Sequence, residues 1–285
     1  MRQVRMTTDK GFLARLGEYV VADRLSAVDV ERIRQECPYV TLSPDWMEAD
    51  AVQADRVYLM GLIMPHLLSL FGEGPERPEV VAKRASSVVS AVYELMRHRR
   101  YHGVGHLRVV LEAAEEFARP VEERVALLLH DAIYSVGAPS GRNEDLSADL
   151  AQLLLWPVRC SRDSLVKVQR LVRSTAGYDT TGAISESHWI CDLDLIGFSI
   201  PWWGYRLTNR LIHEEYVQRK DYDKEVWVMG RIRFLRAMLS KGDLFYYVLS
   251  DQRKEAALQN IRWEIELLEQ GKLAHQCPGF EQPEV

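Results

Sequence analysis

The apolar residues of this 285-residue chain recur at helical spacing along almost its whole length. Apolar side chains three and four residues apart favour amphipathic α-helices, whereas a half-buried strand alternates at every second residue. No run of the sequence shows a convincing strand alternation. The pattern therefore predicts an all-α protein, with helices over about 77–97, 102–118, 121–133, 143–155, 161–174, 186–197, 202–220, 223–240 and 251–270.

The sequence before residue 77 predicts additional helices. Ser43-Pro44-Asp45 has the serine cap and first-turn proline of a helix start. From there we expect a helix to about Leu70, bent near Pro65. The prediction is a helical extension over residues 1–76, a main domain over 77–272 and an irregular tail over 273–285.

Composition excludes some classes of function. The net charge of −5 and the pI of about 6.0 give no strong sign of a nucleic-acid partner. The four cysteines form no CxxC motif, and we expect them to be reduced. The apolar stretch Val57–Phe71 is too short and too interrupted to span a bilayer, and the first residues are polar. We therefore expect a cytoplasmic protein without a membrane partner.

One predicted helix carries a histidine at the end of its apolar stripe. Counting from His106, apolar residues occur at offsets of 3, 4, 7, 8 and 11, from Val109 to Phe117. This is the core-facing stripe of an amphipathic helix. His106 is therefore predicted to point inward.

Carboxylates interrupt two other apolar runs. His130-Asp131 ends one run, and Asp194 lies in the second, with Asp192 as the alternative at that place. A carboxylate beside a core needs a cation or hydrogen-bond donors to compensate its charge. The alternative, non-functional interpretation is a hydrogen-bonded polar cluster in a helical core.

Two inward imidazoles and two inward carboxylates suit one divalent metal ion. Imidazole suits Zn, Ni, Co or Fe, and carboxylates extend the choice to Mn and Mg. Such an ion could activate water and neutralise phosphoryl charge. The pattern thus predicts a divalent metal site formed by His106, His130, Asp131 and one aspartate of the pair Asp192 and Asp194.

The order of these residues resembles that of the HD superfamily of metal-dependent phosphohydrolases, and more narrowly the branch known as predicted HD phosphohydrolases. The resemblance covers roughly residues 95 to 270 and is carried by the segments 100–106, 129–134, 143–148, 192–197, 215–216, 230–231 and 260–268. It implies an HD-domain helical bundle, with the N-terminal extension added, and one metal ion whose ligands are His106, His130, Asp131 and Asp194. It also implies hydrolysis of a small phosphate ester or nucleotide.

The chain departs from that branch at two positions. His213 stands where the branch usually has arginine, and Tyr178 lies near the usual place of a histidine. Neither belongs to the ligand set, so the departures bear on substrate contacts rather than on metal binding.

Besides the ligand Asp131, two residues are predicted to take part in catalysis. Glu144 could orient or deprotonate the attacking water, or it could be a first-turn acid of a helix capped by Asn143. His102 could donate to a phosphoryl oxygen, or it could be a solvated histidine at a helix start.

Arginines close to these segments could bind phosphate oxygens through their guanidinium groups. Arg99 and Arg100 precede the His106 helix, and Arg231 is a weaker candidate. A charge run is more often a solvated helix face, so the alternative remains open.

Two classes of function remain. The first is a metal-dependent phosphohydrolase acting on a small phosphate ester or nucleotide. The second is an HD-type nucleotide-binding or regulatory module that keeps the metal without turnover, for which the extension could serve homo-oligomerisation. A di-iron oxygenase would need more histidine and aspartate ligands than the sequence offers.

Overall fold

The computed structural model describes residues 49–71, 77–117, 119–156, 160–178, 185–241 and 250–277, with a few isolated positions between 28 and 47 and Phe245. Within these ranges the protein is all-α and has no β-strand. The predicted helix start at Ser43 and the end of the tail lie outside the described residues. The α-helices of the continuous described ranges are α1 Ala49–Phe71, α2 Pro78–Met96, α3 Val104–Glu115, α4 Val121–Leu129, α5 Arg142–Leu155, α6 Arg162–Ser174, α7 Ser185–Asp194, α8 Trp202–Val217, α9 Lys224–Ser240 and α10 Asp251–Glu269.

The helix α4 lies at the centre of the fold. It contacts α1, α3, α5, α6 and α7. The side chains of Leu127, Leu128 and Leu129 are fully buried. The C-terminal part of this helix, residues 125–129, is apolar on all sides, and such a segment must be covered by other helices. The chain leaves this core at His130-Asp131, directly after the last turn of α4.

The helix α1 runs without interruption through Pro65 and packs on α2, α3 and α4. Buried polar contacts hold it in place. Arg108 of α3 donates to Asp55 and, at 2.6 Å, to Glu112. His66 of α1 lies 2.8 Å from Glu115 of α3, which also accepts from Arg124 of α4 at 2.8 Å. This part of the predicted extension therefore packs directly on the helices that carry the histidines.

Local sequence explains several helix ends. Ser161, Asp223 and Ser250 cap α6, α9 and α10 with their side-chain oxygens. Asn143 was expected to cap α5, but that prediction is wrong. The cap is Gly141, whose φ of 78° favours glycine. The Asn143 side chain instead bonds both backbone groups of Ser135.

Among the described residues, no helix combines the length and apolar character that crossing a bilayer requires.

Candidate metal centre

The helix α3 positions His106 inside the core. Gly103 precedes the helix, and a Cβ there would lie only 2.7 Å from the carbonyl oxygen of Arg99. The close approach of these two backbone segments therefore requires glycine. One turn later His106 is buried, as its apolar stripe predicted, and its ring stacks on Tyr101 at 5.1 Å between centroids.

One ring nitrogen of His130 is hydrogen-bonded to the backbone, and the other faces the carboxylates of the cluster. Its Nδ1 donates to the carbonyl oxygen of Leu127 at 2.7 Å. In a neutral imidazole this bond leaves the lone pair on Nε2. That nitrogen lies 3.2 Å from Oδ2 of Asp131 and 3.3 Å from Oδ1 of Asp194. A lone pair facing two carboxylates requires a proton or a cation between them.

Asp194 completes the group at the end of α7. Its Oδ1 lies 2.9 Å from Nε2 of His106, and that nitrogen is 3.8 Å from Oδ2 of Asp131. The structure therefore brings together the four residues that the sequence predicted. One ligand atom from each of them lies within 4.8 Å of the others. Asp192, the alternative to Asp194, is buried outside this group.

The nitrogen-to-oxygen spacings in the cluster are close to those around a metal ion. Bonds of about 2.0–2.2 Å to nitrogen and oxygen place neighbouring ligand atoms about 3 to 3.5 Å apart. The nitrogen-to-oxygen distances of 2.9 to 3.8 Å bracket this value. The donor set of two imidazoles and two carboxylates is one that divalent transition metals accept. The cluster could therefore hold a metal ion.

The electrostatics of the cluster also favour a cation. Burial by itself lowers the pKa of His130, but Asp131 and Asp194 outweigh burial and raise that pKa well above its usual value. Burial raises the pKa of the Asp194 carboxyl, but the charge of His130 and hydrogen bonds from both histidines hold it well below its usual range. The site thus concentrates negative charge on its carboxylates and attracts positive charge.

Tyr178 supports one of these ligands, although the sequence predicted only that it replaces a histidine. Its hydroxyl donates to Oδ2 of Asp194 at 3.0 Å, which leaves Oδ1 facing the histidines. Lys241 donates to the carbonyl oxygens of Gly177 and Tyr178 and so holds the short turn that carries the ring. Outer-shell bonds of this kind orient metal ligands.

His102 lies beside the cluster in a bonded position and is not a solvated helix-start residue. Its Nδ1 donates to Oε2 of Glu215 at 2.7 Å, and its ring stacks on Tyr134 at 3.8 Å. Oε1 of Glu215 accepts the backbone N–H groups of Tyr101 and His102. Burial lowers the pKa of His102, but the Glu215 carboxylate outweighs burial and raises it.

A cavity of about 630 Å³ opens on the cluster. Asp131, Asp194, His102 and Glu144 all line it. Burial, with the charges of Asp131 and Asp194, raises the pKa of the half-buried Glu144 carboxyl. Glu144 and His102, which the sequence proposed for catalysis, therefore face the same space as the two ligand carboxylates.

The predicted arginines are placed differently from one another. Arg231 lines the cavity, with its Nε and one terminal nitrogen bound to Glu264 at 2.8 and 3.0 Å. Arg99 was expected to clamp phosphate, but it lies outside the lining of the cavity. Its terminal nitrogens donate to the carbonyl oxygens of His102, Asp131 and Ala132. Arg100 is half-buried and also lies outside the lining.

Glu215, Tyr178 and Glu264 carry contacts of the site to which the sequence assigned no role. Glu215 had a signal, because it lies in a segment of the family resemblance. Glu264 also lies in such a segment, 260–268, and Tyr178 was noted only as a departure from the branch. Their contacts with the site are visible only in the tertiary structure.

The chain was compared with protein-family models, with curated proteins and with solved structures, and none of the three comparisons gave a match. The class that the fold and site define is therefore an all-α protein with a buried His/Asp cluster that could hold a metal ion.

Proposed function

We propose that the protein is a metal-dependent hydrolase of phosphate esters or nucleotides, as the resemblance to the HD superfamily implies. The observation that carries the proposal is the position of the cluster. Asp131 and Asp194 line a cavity large enough for a small molecule, and the two histidine nitrogens lie within 4.8 Å of their carboxylate oxygens. A closed structural site would have no such access.

The four ligand side chains would hold one divalent ion, for which Mn, Zn, Ni, Co, Fe and Mg remain candidates. When bound, such an ion supplies an acidified water and neutralises charge on a phosphoryl group. The protein's own contribution is to fix the ligands. His130 is held through Leu127, and Asp194 through Tyr178. These bonds keep the lone pairs directed at one point.

Glu144 is the group best placed to accept a proton from the attacking water. It lines the cavity with Asp131 and Asp194, whose charges contribute to its raised pKa. A general base works best when its pKa approaches the working pH. Its position on the first turn of α5 also favours a negative charge, because the helix dipole is positive there.

His102 is the group best placed to donate to a phosphoryl or leaving-group oxygen. Glu215 binds Nδ1, so the protonated ring keeps Nε2–H for the substrate. We assign Glu215 the role of a positioning residue, because it acts through His102. The ring of Tyr134 stacks on a face of the His102 imidazole and restricts its rotation.

The test combines metal analysis with a substrate panel. The purified full chain is treated with chelator and reloaded separately with Mn, Co, Ni, Zn, Fe and Mg. Release of phosphate or pyrophosphate from nucleotides and phosphate esters is then measured. The proposal predicts metal-dependent release that Asp131→Asn abolishes and that Asp149→Asn retains, since Asp149 is exposed on α5 and pairs with Arg173.

The outcomes separate the two classes of function. Release that requires metal and Asp131 supports the hydrolase. A stoichiometric ion with no turnover of any substrate would contradict it and favour the binding or regulatory module.

A further inference from the structure

The cavity that opens on the cluster carries more acids than bases. Its acidic lining residues are Asp131, Glu144, Asp194, Asp221 and Asp223. Two of these would be neutralised by a bound divalent ion. Of the others, Asp221 is paired with Arg219, whereas Glu144 and Asp223 repel additional negative charge in the space that a substrate would occupy.

The basic residues of the lining are already compensated by the protein. All three guanidinium nitrogens of Arg219 have acceptors, since Nε and one terminal nitrogen bind Asp221 at 2.9 and 2.6 Å and the other terminal nitrogen binds the carbonyl oxygen of Val136 at 3.0 Å. Arg231 is neutralised by Glu264. Among the described residues no lysine lines this space.

This balance bears on how many phosphates the site can accept. A phosphate monoester carries about two negative charges on a single phosphoryl group, which can lie directly against the metal ion. A triphosphate carries about two more and needs further lysines or arginines, which is how proteins usually bind such chains. Buried charges without partners are costly. The cavity therefore favours one phosphate over three.

Much of the rest of the wall is aromatic. Eight tyrosine, phenylalanine and tryptophan rings line it, and they are those of Tyr101, Tyr134, Tyr178, Phe198, Tyr216, Tyr222, Trp227 and Phe234. Several of them support one another. Tyr216 meets Trp227 at 6.4 Å between centroids, and Tyr178 meets Phe234 at 6.5 Å. Rings held in this way present flat apolar surfaces on which a planar group can stack.

We infer that the substrate is a phosphate monoester whose organic part carries a planar ring, such as a nucleoside monophosphate, and is neither a nucleoside triphosphate nor a small aliphatic phosphate. The inference rests on the proposed function and narrows it. A cavity of about 630 Å³ lies within the size range of small-molecule sites, about 300–1,000 Å³. The phosphate lies at the cluster and the ring against the aromatic wall.

The experiment compares kcat/KM for one 5′-nucleoside as its mono-, di- and triphosphate, and for phenyl phosphate and glycerol 3-phosphate. The metal is kept in excess over nucleotide, so that chelation by the triphosphate does not deplete it. We expect the monophosphate to exceed the triphosphate at least tenfold. Stacking on aromatic side chains is worth roughly tenfold or more, so the ring-bearing monoesters should exceed glycerol 3-phosphate by about that factor.

Two exposed ion pairs supply a matched test of the charge argument. Asp221→Asn releases Arg219 at the rim of the cavity, and kcat/KM for the diphosphate should rise at least threefold relative to the monophosphate. Asp145→Asn breaks a comparable exposed pair with Arg173 outside the cavity lining and should leave that ratio unchanged. Both residues are exposed, so neither change threatens the core.

A second pair of variants tests the preference for a substrate with a planar ring. Tyr222→Leu removes one aromatic surface of the cavity and should reduce the preference for phenyl phosphate over glycerol 3-phosphate. Tyr58→Leu removes a tyrosine from α1, outside the lining, and should not change it. Because Tyr222 also bonds His213 at 2.7 Å, thermal melting of each variant must confirm that it is folded.

The outcomes distinguish this inference from the proposed function. Equal or better turnover of the triphosphate, or no preference for a ring, overturns the inference and leaves the hydrolase proposal standing. Absence of turnover for every compound, with metal bound, overturns both.

Discussion

Replacing Asp194 by asparagine removes one negative charge from the metal centre and leaves the shape of the side chain almost unchanged. Its Oδ1 lies 2.9 Å from His106 and its Oδ2 accepts the Tyr178 hydroxyl at 3.0 Å. An amide can preserve part of this bonding by reorienting. What it cannot restore is the attraction between a carboxylate and a cation.

The size of that attraction sets the expected effect. Two unit charges about 4 Å apart interact by about 4 kcal/mol at an effective dielectric constant of 20. A ligand carboxylate lies closer to a divalent ion, so the loss in Asp194→Asn should reach at least this value. Since 1.4 kcal/mol corresponds to a factor of ten, the dissociation constant should rise roughly a thousandfold.

Thermal melting with and without metal measures this effect. At a metal concentration of about 100 times the dissociation constant, binding stabilises the wild-type fold by about 2.7 kcal/mol. For a chain of this size that corresponds to a rise in Tm of about 5 °C. At the same metal concentration the Asp194→Asn protein should show almost no rise.

Asp192→Asn is the matched control. Asp192 is also a buried carboxylate of α7, two residues away, and it lies outside the cluster. Its variant should keep the full metal-dependent rise in Tm, whatever its effect on the metal-free protein. An equal rise in Asp194→Asn and wild type would refute the ligand assignment. If no divalent metal changes the Tm of the wild type, the cluster is a polar core without a metal.

Three further predictions concern the supporting contacts. Glu215→Gln should move the alkaline limb of the kcat/KM profile to lower pH, because Glu215 raises the pKa of His102 and the proposed role requires the protonated ring; an unmoved limb would exclude that role. Tyr178→Phe should weaken metal binding by about 10- to 100-fold in calorimetry without changing its stoichiometry, as expected for an outer-shell partner; unchanged affinity would show that the hydroxyl does not support the ligand carboxylate. Asp55→Asn should lower the free energy of unfolding in urea by about 1–3 kcal/mol, because Arg108 loses a buried charged acceptor; no change would mean that α1 is held by apolar packing alone.

The helices could be predicted because each depends on a short stretch of sequence. The spacing of apolar residues within α3 was enough to predict this helix. His106 points inward, as that spacing indicated. The start of α5 was predicted less well. Asn143 looked like a cap, but Gly141 occupies that position because the preceding turn requires positive φ. Backbone dihedral angles of a turn are not visible in apolar periodicity.

The four residues of the cluster were also predicted from the sequence, because charged or polar residues at inward positions are rare and conspicuous. Their convergence depends on the tertiary structure, since helix ends distant in sequence meet only when α3 and α7 pack around α4. The same packing places Asp194, and not Asp192, in the cluster. The spacing of apolar residues could not choose between them, because both lie on one short helix.

The charge environment of the site came from the tertiary structure alone. In the sequence Arg99 was a stronger candidate to bind phosphate than Arg231. In the fold Arg99 binds backbone carbonyl groups, whereas Arg231 lines the cavity against Glu264. The sequence determines which side chains avoid water and which carry charge. Partners contributed by distant helices decide which of those charges a substrate can meet.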